Sequence, residues 1–243
     1  GVYQIPLQIK TRLESRDNDL YSLKGISKTS LDFTTTSNFD TEELGLNLLS
    51  GGGFVSNYDG QVISEHGFHL YPENVSGAAA AGGSLTAGTY QFRVVYVHTD
   101  AQGQIYRSAP SVAVSVTTAS TNLTAALTIP TLRLTTHTNI ICEVFRTVDA
   151  GTVFYKVGSV ANDTTADTVS FSDAGAINDT NLIAKELLYS TGGVLEHVAP
   201  PAASVIGSFA NRMFAVSSEN PKVLWYSQKR GKENPIEFSD SLY

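Results

Sequence analysis

His66 and His69 stand three residues apart in Glu65-His66-Gly67-Phe68-His69, a spacing that chelates one metal ion only if the chain turns between them. On a strand the two rings would point to opposite faces, because side chains alternate. His98, His137 and His197 stand alone in the sequence, and no metal-ligand set is expected. Glu42-Glu43 and the remaining carboxylates are scattered, with no pair placed across a cleft as acid–base hydrolysis of a glycoside requires. Gly51-Gly52-Gly53 lacks the Lys-Ser/Thr and the helix that would hold a phosphate, so it reads as a turn with positive φ. Asp59-Gly60 and Asp100-Ala101-Gln102-Gly103 carry too few carboxylates at alternate positions for calcium. Cys142 is the only cysteine, which excludes an intramolecular disulfide, and it reads as a small buried hydrophobe rather than a nucleophile. Asn122-Leu123-Thr124 and Asn162-Asp163-Thr164 match the glycosylation acceptor but read as turns. Lys222, Lys229, Arg230 and Lys232 lie near Trp225 and Tyr226, a mixture that can grip single-stranded nucleic acid. Glu219, Glu233 and Glu237 offset that charge, and a solvated loop is expected instead. No residue is singled out as catalytic, cofactor-binding or metal-ligating, so a non-enzymatic protein without a cofactor is expected.

The elements that must carry these residues are strands. In Thr89-Tyr90-Gln91-Phe92-Arg93-Val94-Val95-Tyr96-Val97-His98 one face takes Tyr90, Phe92, Val94 and Tyr96, the alternation of a strand with a buried side. Thr99 to Gly103 supplies the turn, Gln104 to Arg107 runs back, Pro110 breaks the run, and a new strand is expected over Ser111 to Val116. With Leu123–Ile129, Ile140–Thr147, Val153–Gly158 and Asp167–Ser172 this makes about seven short strands, the number of an immunoglobulin-like sandwich. Without a Cys…Trp…Cys spacing, the fibronectin type III variety is the one expected.

On either side the pattern changes to short strands joined by turns, the way a β-propeller blade is built. Upstream, Leu46 to Glu65 passes through the glycine triplet and Asp59-Gly60, where a type I′ hairpin turn is expected. Downstream, Ser204–Ala210, Arg212–Val216 and Val223–Ser227 form another meander. The small-residue stretch from Gly77 to Ser84 reads as a linker. The expected division is 1–76 and 184–243 as propeller-like meanders around a sandwich over 77–183, an all-β chain throughout.

Charged residues make up 16% of the chain, and the net charge is −7, a balance that argues against a surface that grips phosphates. No run of apolar residues is long enough to span a bilayer. The start at Gly1 and the end at Tyr243, inside a strand-like pattern, lead us to expect a segment of a longer polypeptide.

The order of motifs carries a resemblance. Gly51-Gly52-Gly53-Phe54, Tyr58-Asp59-Gly60, Glu65-His66-Gly67-Phe68 and Leu70-Tyr71-Pro72-Glu73 come first. They are followed by Leu85 to Tyr90, Arg107-Ser108-Ala109-Pro110-Ser111, Phe145-Arg146-Thr147, Phe154-Tyr155-Lys156-Val157 and Phe171-Ser172-Asp173. Leu188 to Gly193 then leads through Pro200-Pro201 to Asn211-Arg212-Met213-Phe214 and Leu224-Trp225-Tyr226-Ser227. Over 46–243 the chain resembles the tail hub or nozzle proteins of short-tailed bacteriophages, in which propeller-like and immunoglobulin-like domains form a ring below the portal and adaptor. The resemblance implies a structural virion protein, assembled in the host cytoplasm into a homo-oligomeric ring of the tail. Its channel would retain packaged DNA and release it on infection without sequence-specific contact.

The half-apolar second face of the long strand, with Val95 and Val97, is a candidate subunit contact; the alternative is core between sheets. Two other classes stand beside the structural one. A carbohydrate-binding or adhesin-type module would place Tyr96, Tyr106 and Trp225 in an exposed row. An accessory domain of a glycan-degrading enzyme would show turnover of a polysaccharide.

Overall fold

A computed structural model of the chain describes residues 12–16, 19–24, 27–31, 40–189, 198–231 and 236–239. Lys232, Glu233, His197 and the Gly192-Gly193 pair lie outside the described residues. The described chain is all-β, built from antiparallel sheets, with one four-residue helix.

Strands β1 (Arg12–Arg16), β2 (Asp19–Lys24) and β3 (Ser27–Leu31) make the first sheet, in chain order. β4 (Thr41–Leu44), β5 (Asn47–Ser50), β6 (Ser56–Tyr58) and β7 (Ile63–Glu65) form a four-stranded meander. β6 and β7 do form a hairpin at Asp59-Gly60, but with a four-residue loop, because Tyr58 pairs with Ile63. Asp59 keeps an ordinary φ and accepts Gln61 N and Val62 N at its Oδ1, 2.9 and 2.8 Å away, so its carboxylate shapes the loop instead.

Two facing sheets follow. One holds β8 (Ser76–Ala80), β9 (Gly82–Gly83), β13 (Asn122–Pro130) and β16 (Thr168–Asp173), with β13 between β8 and β16. The other holds β10 (Gly88–Thr99), β11 (Ile105–Arg107), β12 (Val114–Thr118), β14 (Ile141–Arg146) and β15 (Tyr155–Ala161). Between them Tyr90, Phe92, Val94 and Tyr96 of β10 meet Ala125, Leu127 and Ile129 of β13, as the alternation requires.

β11 and β12 both pair with β10, as two halves of one returning strand. The proline-broken gap between them is sealed by serines. Ser108 Oγ accepts Tyr96 N and Ser111 Oγ accepts Val94 N, at 2.9 and 3.0 Å. Ser108 N and Ser111 N donate to the carbonyls of Tyr96 and Val94. The strand expected from Ser111 therefore begins only at Val114, and the hydroxyls satisfy β10 where the ladder fails.

The Gly77–Ser84 stretch is not a linker: its first half is strand β8, paired with β13 from Ser76↔Thr128 to Ala80↔Thr124. Gly77 is small because its partner Leu127 in the same sheet and the valines of β12 in the facing sheet both come close. A Cβ on Gly77 would stand 2.7 Å from Leu127 Cδ2 and 2.9 Å from Val116 Cγ2. Gly77→Val should therefore overpack the core and cost about 1–3 kcal/mol in urea unfolding. A variant as stable as the parent would contradict this close approach.

Helix α1 (Asp179–Leu182) is capped by Asn178, whose side chain accepts Asn181 N at 2.9 Å. β17 (Ala203–Phe209), β18 (Arg212–Ser217) and β19 (Leu224–Tyr226) form the last meander. Here Phe209 pairs with Arg212, and Ala210 and Asn211 have φ of 51° and 60°, the two-residue turn expected at Asp59-Gly60.

The two meanders share one core, in which Leu44, Leu49 and Val55 meet Ala203, Ile206, Met213, Ala215, Ile236 and Phe238. Gly52 N donates to Ala203 O at 2.7 Å and Ala203 N to Gly53 O at 2.9 Å. The triplet is thus the seam between the sheets, and Gly52, at φ 109°, takes a conformation that favours glycine.

Candidate functional site

The two aspartate turns and three of the histidines meet at one polar seam, where the turns of the β4–β7 meander dock on the loops of the sandwich. Asp59 Oδ2 accepts Ala101 N at 2.9 Å, and Gln102 Nε2 donates to Asp59 O at 2.6 Å. Asp100 Oδ1 accepts Gln102 N and Gln104 N, and its Oδ2 accepts Asn47 Nδ2 at 3.1 Å. Asn47 also donates to Tyr106 OH at 3.1 Å. Desolvation raises the Tyr106 phenol well above its ordinary range, with Asp100 adding to it. The two aspartate turns thus bind each other. Every oxygen of both carboxylates already accepts a hydrogen bond, which suits loop docking and not acid–base work.

Three histidines meet at this seam, two of which stand alone in the sequence. The His98 and His137 rings stack with centroids 4.5 Å apart, and Phe68 lies 4.8 Å from His137. His66 packs edge-on against Tyr106 at 5.6 Å. Each ring bonds a backbone carbonyl at 2.8 Å: His66 Nε2 to Ile236 O, His98 Nδ1 to Thr138 O, His137 Nε2 to Gly67 O. A carbonyl only accepts, so these nitrogens carry the protons. The other nitrogens of His66 and His137 are buried and have no partner among the described residues. A second proton there would be a buried, unmatched charge, and burial accordingly lowers both rings to about 4. His69 goes elsewhere, against Phe54 at 4.8 Å, and does not chelate with His66. Among the described residues, no group of three potential metal ligands gathers.

The remaining candidates fall into structural roles. Cys142 is wholly buried beside Val144 in the sandwich core, and burial pushes its thiol up to about 12, far from a nucleophile. Trp225 turns into the meander core while Tyr226 lies under Arg212, with the guanidinium 5.7 Å from its ring. Arg230 packs over Gly45, so it and Trp225 do not form one exposed basic and aromatic surface. Tyr96 and Tyr106 are buried and make no exposed aromatic row. Val95 and Val97 are likewise buried within this chain, under Phe145, Phe154 and Leu188, and are neither a subunit contact nor core between the two sheets. Above them Glu143 pairs with Arg107 at 3.2 Å and with Lys156, and Glu186 pairs with Arg107 at 2.7 Å.

Sequence reasoning missed Arg146. It lies on the inner face of β14 with no exposed surface, its Nε 2.9 Å from Asp173 Oδ2 on the opposite sheet. Nη1 meets Asp179 Oδ1 and Nη2 donates to Ile177 O, both at 2.9 Å, and the guanidinium sits 4.8 Å from the Tyr90 ring centroid. The signal was an arginine in phase with Cys142 and Val144.

These features define an all-β protein of stacked antiparallel sheets whose polar clusters hold its parts together. No family model matches the chain, and no curated protein or solved structure is significantly similar to it. No helix among the described residues is long and apolar enough to cross a membrane.

Proposed function

We propose that this chain is a structural component of a bacteriophage tail, a hub or nozzle segment that assembles into a homo-oligomeric ring below the portal and adaptor. On this reading the protein is not an enzyme, and it works through interfaces in the virion. The sandwich is then the immunoglobulin/fibronectin III-like part and the stacked meanders are propeller-like blades. In favour are the seven strands of the sandwich, counting β11 and β12 as one and leaving aside the two-residue β9, and the core that the two meanders share.

The observation that carries the reading is a sheet made to be covered on both faces. Register places Ile206, Ala215 and Trp225 side by side on the inner face of β17–β19. It places Val205, Val216 and Leu224 in one row on the outer face, with Gly207, Phe214 and Tyr226 in the next. Val205 and Leu224 are 52% and 51% exposed. An apolar patch of this kind on a sheet face marks an interaction surface. The net charge of −7 suits a channel from which DNA is repelled and along which it slides.

Light scattering on the parent chain and on a Val205→Asp/Leu224→Asp double variant tests the assembly. The parent should associate with rising concentration, and the variant should stay monomeric with an unchanged β-sheet circular dichroism spectrum. A parent chain that is monomeric throughout, or a variant that associates equally, would contradict the role given to this face.

A further inference from the structure

A cleft of about 240 Å³ opens at the seam, between the Asp59–Ser64 hairpin and the sandwich loops around His98–Ala101 and Thr136–Asn139. We propose that it is a binding site for a neutral, polyhydroxylated ligand the size of one sugar ring. The inference goes beyond the assembly reading and does not depend on it.

Its wall is rich in neutral hydrogen-bonding groups: the hydroxyls of Ser64, Thr99, Thr136 and Thr138 and the amides of Gln61 and Asn139. Among the described residues the lining carries no lysine or arginine, and its two carboxylates, Asp59 and Asp100, are taken up by the docked turns. An anion would meet those two negative charges without a counter-charge, and a metal ion would find their oxygens already bonded. A ligand with many hydroxyls meets neither obstacle, because each of its O–H groups both donates and accepts.

His98 gives the cleft a directed group. Its ring is held from one side by His137 and through Nδ1–H by the Thr138 carbonyl, and only 8% of the residue is exposed. This fixes Nε2 as the acceptor on a residue that lines the cleft, pre-set to accept a hydrogen bond from a ligand hydroxyl. The cleft volume of about 240 Å³ gives room for one sugar ring.

The test is a two-dimensional amide NMR titration of the whole chain with glucose, galactose, mannose and N-acetylglucosamine. Each is offered as the free sugar and as both methyl glycosides. At least one should shift the amides of Thr99, Thr138 and Asn139 with a dissociation constant in the millimolar range. Preference for a glycoside assigns the terminal residue of a glycan, and equal binding of the free sugar assigns the free compound. Glucuronate should bind at least tenfold more weakly than glucose, because of Asp59 and Asp100. His98→Phe keeps a ring against His137, removes the acceptor, and should weaken binding at least tenfold. Gln61→Ala/Thr99→Val, at exposed positions, tests the same wall without touching the packed ring and should weaken binding several-fold. No shift in the cleft amides with any sugar, or binding undiminished in the variants, would overturn the proposal.

Discussion

Replacing Arg146 by alanine is expected to lower the unfolding free energy by about 3–5 kcal/mol, the largest single effect outside the hydrophobic core. The arginine is wholly buried and joins the two sheets of the sandwich, β14 through its own backbone and β16 through Asp173. It also anchors the approach to α1 through Ile177 O and Asp179. Without it, Asp173 is a buried carboxylate with no counter-charge. Burial already holds the Asp173 carboxyl above its ordinary range, against the opposing pull of the Gly175 backbone N–H and Arg146. Removing the arginine raises it further, so the folded variant prefers the protonated acid. Stability that depends on that proton is present at low pH and is lost as pH rises. The gap between parent and Arg146→Ala should therefore be wide at pH 7 and narrow toward pH 4. Arg146→Met combined with Asp173→Asn should recover most of the loss, since the only carboxylate left without its cation is Asp179, which is one-third exposed and still accepts Asp149 N. Urea unfolding midpoints at both pH values decide it, and an Arg146→Ala variant within about 1 kcal/mol of the parent at pH 7 would refute the account of this pair.

The second large effect concerns acid. His66 and His137 are each lowered from 6.5 to about 4 in the folded protein, chiefly by burial. The unfolded chain takes up protons at these rings as pH falls through 6.5, and the folded chain does not until about 4. The stabilisation is thus full above pH 6.5 and is lost progressively on acidification, by up to about 3 kcal/mol for each ring. The two contributions are not independent, because His98 and His69 act on the same site. Around the rings stand Glu65, 4.0 Å from His137, and Asp100 near His66. Between pH 6.5 and 5 few exposed carboxylates titrate, so a downward slope there reports the histidines. His66→Asn and His137→Asn should each flatten it. A parent chain equally stable at pH 6.5 and 5 would contradict the burial of these rings.

How far these features were readable from residues alone depended on whether the cause was local. The alternation of β10 placed Tyr90, Phe92, Val94 and Tyr96 in the core, because a strand with one buried face shows it over two residues. The last meander was equally readable, since its turn residues bracket it. Gly77–Ser84 misled because small residues suit both a flexible linker and a strand beneath a close neighbour, and only the neighbour distinguishes them. Val95 and Val97 were seen as apolar, but Leu188, which covers them, lies far along the chain. The histidine stack was invisible for the same reason, with His98 and His137 brought together by loops from different strands. Asp59 and Asp100 were recognised as turn residues, and their mutual docking was not.

Electron microscopy of negatively stained particles of the protein tests the central claim most directly. The account predicts closed rings with an open central channel, each made of several copies. Isolated compact monomers at every protein concentration, with no ring in any field, would contradict it.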